Sequence, residues 1–128
     1  MPRILVIEDE VDVTKVLEKR LKDAGYEPVI ANDSSTGVDL AHSARPDAII
    51  LDLMLPAGGG MAILRGLKLA PETRDIPVVV LTGVRNEQVR QNVIKEGAAA
   101  YVQKPYEPAE LAAVLRNVLG KDGGSRRK

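Results

Sequence analysis

Five side chains of this sequence, Glu8, Asp9, Asp52, Thr82 and Lys104, make one piece of chemistry if the fold brings them together. Three carboxylates crowded on one spot repel each other and push up at least one pKa unless a cation neutralises them. Oxygen donors, with no sulfur and no paired histidine, call for a hard cation, and Mg²⁺ is the ion that sits between carboxylates and phosphate oxygens. An Asp can act as a nucleophile and carry an aspartyl phosphate. A threonine hydroxyl and a lysine ammonium then suit the phosphoryl oxygens. Three negative charges, one lysine and one divalent ion sum to near zero before phosphate adds roughly −1.5 to −2.

The elements that must position these groups alternate along the chain. Ala48–Leu51 (AIIL) is a continuous apolar run, as in a strand covered on both faces, and Asp52 follows it with no polar lead-in. Pro56 and the glycines Gly58, Gly59 and Gly60 then permit a sharply turned loop. Arg3–Ile7 reads as a first strand running into Glu8, Asp9 and Glu10. Glu27–Ala31 reads as a weaker second, Ile76–Leu81 as a fourth and Ala100–Gln103 as a fifth. Helical spacing predicts helices over Val11–Ala24 (Val13, Val16, Leu17, Leu21), to about Ala44 (Val38, Leu40, Ala41) and over Met61–Leu69 (Ile63, Leu64, Leu67, Leu69). Two more follow, over Glu87–Lys95 (Val89, Val93, Ile94) and Pro108–Leu119 (Leu111, Val114, Leu115, Val118). Gly25 and Gly97 close the first and fourth helices.

Five alternating strand–helix units predict an α/β fold, a single doubly wound (βα)5 domain with a parallel sheet. The separations of 43, 30 and 22 residues between Asp9, Asp52, Thr82 and Lys104 are whole strand–helix units, so all four groups leave the sheet on one edge. In open α/β sheets that edge binds ligands. The second strand ends in Ala31 and Asn32 and brings no comparable group, which fits the order 2-1-3-4-5, flavodoxin-like, with that strand at the margin. Each residue also has a plainer reading. Glu8 and Asp9 could be helix N-terminal acids, Thr82 a strand-end hydroxyl, Lys104 a solvated charge and His42 a surface helix residue. The coincidence of four strand ends selects the joint reading.

Composition removes other classes. Eighteen basic residues against eighteen acidic ones offer no field for nucleic acid or an anionic membrane. The absence of cysteine excludes disulfides, thiolate chemistry and sulfur-bound zinc. Three tyrosines are too few for a stacking site. No apolar run nears the roughly 20 residues that span a bilayer, and the acidic start is unlike a secretory signal. The expectation is a cytoplasmic protein with a domain over residues 1–119. Residues 120–128, rich in Gly and then basic, are expected to form a flexible tail or linker stub.

IEDE after the first strand, LDLMLP around the third, LTG after the fourth and KP after the fifth resemble the receiver domain of two-component response regulators, over about Arg3–Leu119. The resemblance implies the 2-1-3-4-5 sheet, an order for which a chemotaxis member of the family is a standard example. It implies that Asp52 accepts phosphate from a sensor histidine kinase or a histidine phosphotransfer protein. Asp9, Asp52, the Met54 backbone carbonyl, and Glu8 directly or through water would hold Mg²⁺. Lys104 would bond the phosphoryl group, Thr82 would swing toward it, Tyr101 would be the aromatic switch and the Lys104–Pro105 peptide would be cis. Output would run through the fourth helix, fifth strand and fifth helix to a protein target or to an output domain missing from this stretch. The domain itself would bind no nucleic acid. Such a domain catalyses its own phosphotransfer and dephosphorylation without being a turnover enzyme.

Three features depart from the family's usual pattern or set its kinetics. Glu8 stands where many members have Asp, and Gly83 replaces the commoner Ala. Met54 and Val84 occupy positions that tune phosphate lifetime; both are apolar, which predicts slow hydrolysis. A haloacid-dehalogenase-type hydrolase would carry its nucleophile at the first strand with a second Asp two residues on, whereas position 54 is Met. A flavin module would want a phosphate loop where EDE stands. A receiver-like adaptor that never uses Asp52 is the closest alternative.

Overall fold

The computed structural model describes residues 1–56 and 59–126, with residues 121–126 described by backbone alone. In chain order the elements are β1 (Arg3–Ile7), α1 (Val11–Asp23), β2 (Glu27–Ala31), α2 (Ser34–Ser43), β3 (Ala48–Leu51), α3 (Gly59–Leu69), β4 (Val78–Thr82), α4 (Glu87–Lys95), β5 (Ala100–Gln103) and α5 (Pro108–Arg126). All strand pairings are parallel and the order is β2-β1-β3-β4-β5.

Successive strand residues face opposite sides, which splits the core in two. Leu5, Ile7, Ile49, Leu51, Val78 and Val80 face α2, α3 and α4, meeting Ala41, Ile63, Leu64, Leu67 and Val93. Ile4, Val6, Ile50, Val79, Leu81 and Val102 face α1 and α5, meeting Leu17, Leu21, Leu111, Leu115 and Val118. Burial on both faces is why the strands read as unbroken apolar runs.

Register carries this order to the site. Ile7 pairs with Leu51 and Leu51 with Val80, so Glu8 and Asp52 leave neighbouring strands side by side. Thr82 pairs with Gln103, which puts Lys104 one step past it.

Local boundaries differ from expectation where one residue decides them. Pro77 has no N–H to donate, and β4 begins at Val78 although Ile76 is buried. Helix α3 starts at Gly59, ahead of the expected Met61. Helix α5 continues to Arg126 past the expected end at Leu119; residues 127 and 128 of the expected tail, and Gly58, lie outside the described residues. In α1 the buried stripe is Thr14, Leu17 and Leu21, while Val16 is 48% exposed. Leu69, expected inward, lies 81% exposed at the end of α3. Asp33 caps α2 through a bond from Thr36 N–H and Asn86 caps α4 through one from Val89 N–H. Gly25 and Gly97 turn the chain out of α1 and α4 at φ +91° and +110°, where a side chain would be strained. Among the described residues no helix is long and apolar enough to cross a membrane.

Candidate functional site

Asp52 is 5% exposed at the end of β3. Its Oδ1 accepts a bond from Met54 N–H at 2.9 Å, and its Oδ2 lies 3.0 Å from Lys104 Nζ. The same ammonium donates to Glu8 Oε1 at 2.8 Å. Glu8, 2% exposed, accepts Glu10 N–H on Oε2 at 3.1 Å. One cation thus serves two buried carboxylates, which leaves a surplus negative charge out of water.

The ionisation of the three groups follows. Burial pushes the Glu8 carboxyl up to about 7 against the pull of Lys104, and Asp52 pushes it the same way. For Asp52 burial works upward too, but the Met54 N–H, Glu8 and Lys104 together hold it below the ordinary range. Burial alone would lower Lys104; its bonds to Glu8 and Asp52 outweigh that and keep it a cation. The pair therefore divides the work: Asp52 is the anion, and Glu8 is the acid that holds the shared proton near neutrality.

Thr82 is fully buried, and its Oγ1 accepts Val84 N–H at 3.4 Å. Lys104 N–H donates to Thr82 O at 2.9 Å, so the β4 and β5 ends are tied together. Tyr101 is half-buried, and its hydroxyl donates to Val84 O at 2.6 Å. Arg85 reaches from the same β4–α4 segment to Lys104 O at 3.3 Å. The Lys104–Pro105 peptide is cis. His42 is exposed near the end of α2, away from these groups.

Asp9 and Met54 are less engaged. Asp9 is exposed and its carboxylate has no partner among the described residues; the Met54 side chain is 64% exposed. Among the described residues no group of three or more His, Cys, Asp or Glu side chains is drawn into a metal cage. Glu8 and Asp52 converge, and Asp9 is not drawn in with them. The donor set still suits Mg²⁺, which keeps several waters and takes one or two carboxylates with phosphate oxygens. A divalent cation would neutralise the extra negative charge that appears on the Glu8–Asp52 pair when Glu8 ionises.

Two contributors were invisible to spacing arguments. A Cβ on Gly60 would stand 2.4 Å from Leu53 Cα and 2.6 Å from Asp52 O, so only glycine lets α3 press against the segment that carries the nucleophile candidate. Leu55, 3% exposed, pins the other side of that loop into the core. The Gly cluster after Pro56 was the only sequence signal for the first, and nothing marked the second.

Comparison with known proteins identifies the family of this fold. The family model described as response regulator receiver domain matches residues 4–116. The phosphate regulon transcriptional regulatory protein PhoB of Escherichia coli is 40% identical over 117 residues, 91% of this chain and 51% of that protein. A probable transcriptional regulator, ycf27, of Guillardia theta is 35% identical over 91% of this chain and 45% of its own length. The chain thus spans about half the length of the curated relatives it matches. Among solved structures, a receiver domain protein of Clostridium thermocellum has a TM-score of 0.89 at 29% identity, covering 96% of this chain and 98% of that one. The receiver domain of a sensor histidine kinase from Pseudomonas aeruginosa, described with a magnesium ion coordinated in its active site cleft, has a TM-score of 0.84 at 30% identity. It covers 93% of this chain and 98% of its own.

Proposed function

Because this chain belongs to the response regulator receiver domain family, we propose that it is a signalling switch in which Asp52 takes a phosphoryl group from the phosphohistidine of a sensor histidine kinase or a histidine phosphotransfer protein. Receiver domains of this kind are switches and not turnover enzymes. The observation that carries the assignment to Asp52 is the pairing of its two oxygens, one with Met54 N–H and one with Lys104 Nζ.

In the reaction a carboxylate oxygen of Asp52 attacks phosphorus, the P–N bond to the donor imidazole breaks, and the imidazole nitrogen leaves with the bonding electrons. Asp52 is held ionised and so keeps its nucleophilic lone pair. Lys104, already 3.0 Å from that carboxylate, transfers its bond to a phosphoryl oxygen. Mg²⁺, held by Asp52, Asp9, the Met54 carbonyl and Glu8 directly or through water, would supply charge neutralisation at the phosphoryl oxygens. An apolar groove of about 410 Å³ lined by Val13, Val16, Arg20 and Tyr106 opens beside Lys104, and the phosphodonor would dock there.

The signal leaves through Thr82 and Tyr101. A bond from Thr82 to the phosphoryl group draws the β4–α4 segment inward and changes the carbonyl on which Tyr101 rests. Moving a two-state domain from 1:99 to 99:1 takes about 5.5 kcal/mol. Two or three charge-assisted bonds at about 1.5–3 kcal/mol each are of that size. The α4–β5–α5 face then engages a protein target or a joined output domain. Residues 1–119 form the receiver unit, acting in the cytoplasm and without touching nucleic acid itself. Incubation with acetyl phosphate and Mg²⁺ followed by intact mass tests the proposal: wild type gains one base-labile phosphoryl group and Asp52→Asn gains none.

A further inference from the structure

Strand β2, which sends no charged group to the site, is followed directly by a residue, Asn32, that holds the acidic loop from behind. Both donors of the Asn32 amide are used across the fold: Nδ2 bonds Glu8 O at 3.0 Å and Thr14 Oγ1 at 3.2 Å. Thr14 is 3% exposed, and its hydroxyl donates a hydrogen bond to Val11 O in the first turn of α1. On the other side Glu8 N–H donates to Ala31 O at 3.0 Å. The backbone of Glu8 is therefore gripped at both its N–H and its C=O by the last two residues around the end of β2, and its side chain is gripped by Glu10 N–H and Lys104.

From this arrangement we infer that Asn32 is a positioning residue for cation binding, acting through Glu8 and Asp9. The inference rests on the function proposed above. Asp9 follows the clamped Glu8 carbonyl directly and has no side-chain partner of its own among the described residues, so its placement depends on the backbone of the loop. Glu8 and Asp9 lie between a strand end and a helix start, and among the described residues no backbone N–H reaches the Glu8 carbonyl. Asn32 supplies that bond, and Thr14 ties it to α1. A loop fixed before the ion arrives loses less entropy when the ion binds, which is the general reason outer partners of a metal site govern its affinity. The neighbouring Asp33 does different work: it caps α2 and does not touch the acidic loop.

The test is Mg²⁺ binding by calorimetry, read beside the Mg²⁺ dependence of acetyl phosphate labelling. Asn32→Ala should weaken Mg²⁺ on the order of tenfold and raise the Mg²⁺ concentration needed for half-maximal labelling by the same factor. Thr14→Val should show a smaller loss in the same direction, and Thr14→Ser, which keeps the hydroxyl, should restore wild-type binding. Asp33→Ala lowers stability through α2 and should leave Mg²⁺ affinity where it was. Wild-type affinity in Asn32→Ala, or an equal loss in Asp33→Ala, overturns the inference. Mg²⁺ binding without labelling of the wild type overturns the phosphorylation reading alone; no Mg²⁺ binding by the wild type overturns both.

Discussion

The Glu8 carboxylate and the Lys104 ammonium, 96 residues apart in the chain, meet at 2.8 Å, and Lys104 reaches Asp52 from the same position. Through this one cation the ends of β1, β3 and β5 share a charge balance, and that balance makes the site's behaviour testable by pH, by substitution and by added metal.

Glu8 sets the first pH dependence. Its carboxyl titrates at about 7 folded against 4.5 as a free group, so the folded state holds a proton that the unfolded chain releases. Stability without metal should therefore fall as pH rises from 4.5 to about 7, by on the order of 3 kcal/mol at about 1.36 kcal/mol per pKa unit. Asp52 acts oppositely, its contribution present above 3.8 and lost on acidification below that. Urea denaturation from pH 4 to 8 should show the decline, and Glu8→Gln should flatten it and leave the variant more stable than wild type at pH 8. A wild-type profile that rises across this window contradicts the charge balance described.

Gly60 is predicted to tolerate no side chain. Alanine would force its Cβ against the backbone of Leu53 and Asp52, which a rotamer change cannot relieve. A loss of about 1–3 kcal/mol in urea denaturation is expected, with slower acetyl phosphate labelling because Asp52 shifts. An unchanged denaturation midpoint would mean that α3 moves away freely.

Tyr101→Phe removes the 2.6 Å bond to Val84 O and keeps the ring. The cost should be about 0.5–1.5 kcal/mol, with faster amide exchange at Val84 and Arg85 and little change in the labelling rate. Exchange that stays the same would show that the hydroxyl does not restrain the β4–α4 segment.

How far the sequence anticipates these features depends on what each one requires. Strand identity and the shared edge of Asp52, Thr82 and Lys104 were legible, because both-face burial writes itself as runs such as AIIL and VVVL and the separations are whole units. Helix faces were partly legible: Leu17 and Leu21 point inward as periodicity demands, but Val16 lies off that face and the buried position one turn before Leu17 is the polar Thr14, whose hydroxyl accepts from Asn32. The Asn32 clamp was illegible, and the Gly60 contact showed only as a glycine cluster without a partner. Each joins one side chain or one missing Cβ to backbone in another element, and no period in the chain records such a meeting.

Val84 bears on phosphate lifetime. It is half-buried beside Thr82, Met54 is exposed, and neither side chain can orient a water. Hydrolysis of the aspartyl phosphate should be slow, and Val84→Glu should speed it several-fold in a time course after removal of acetyl phosphate. A variant that loses phosphate no faster than wild type counts against this reading.

The most direct test of the account is the chemical identity of the modified residue. Protein labelled with acetyl phosphate and Mg²⁺, reduced with borohydride and mapped by peptide mass spectrometry, should carry homoserine at position 52 and nowhere else. Homoserine absent from position 52, or its appearance at Asp9 in its place, would contradict the claim that the Met54 N–H and Lys104 single out Asp52 as the acceptor.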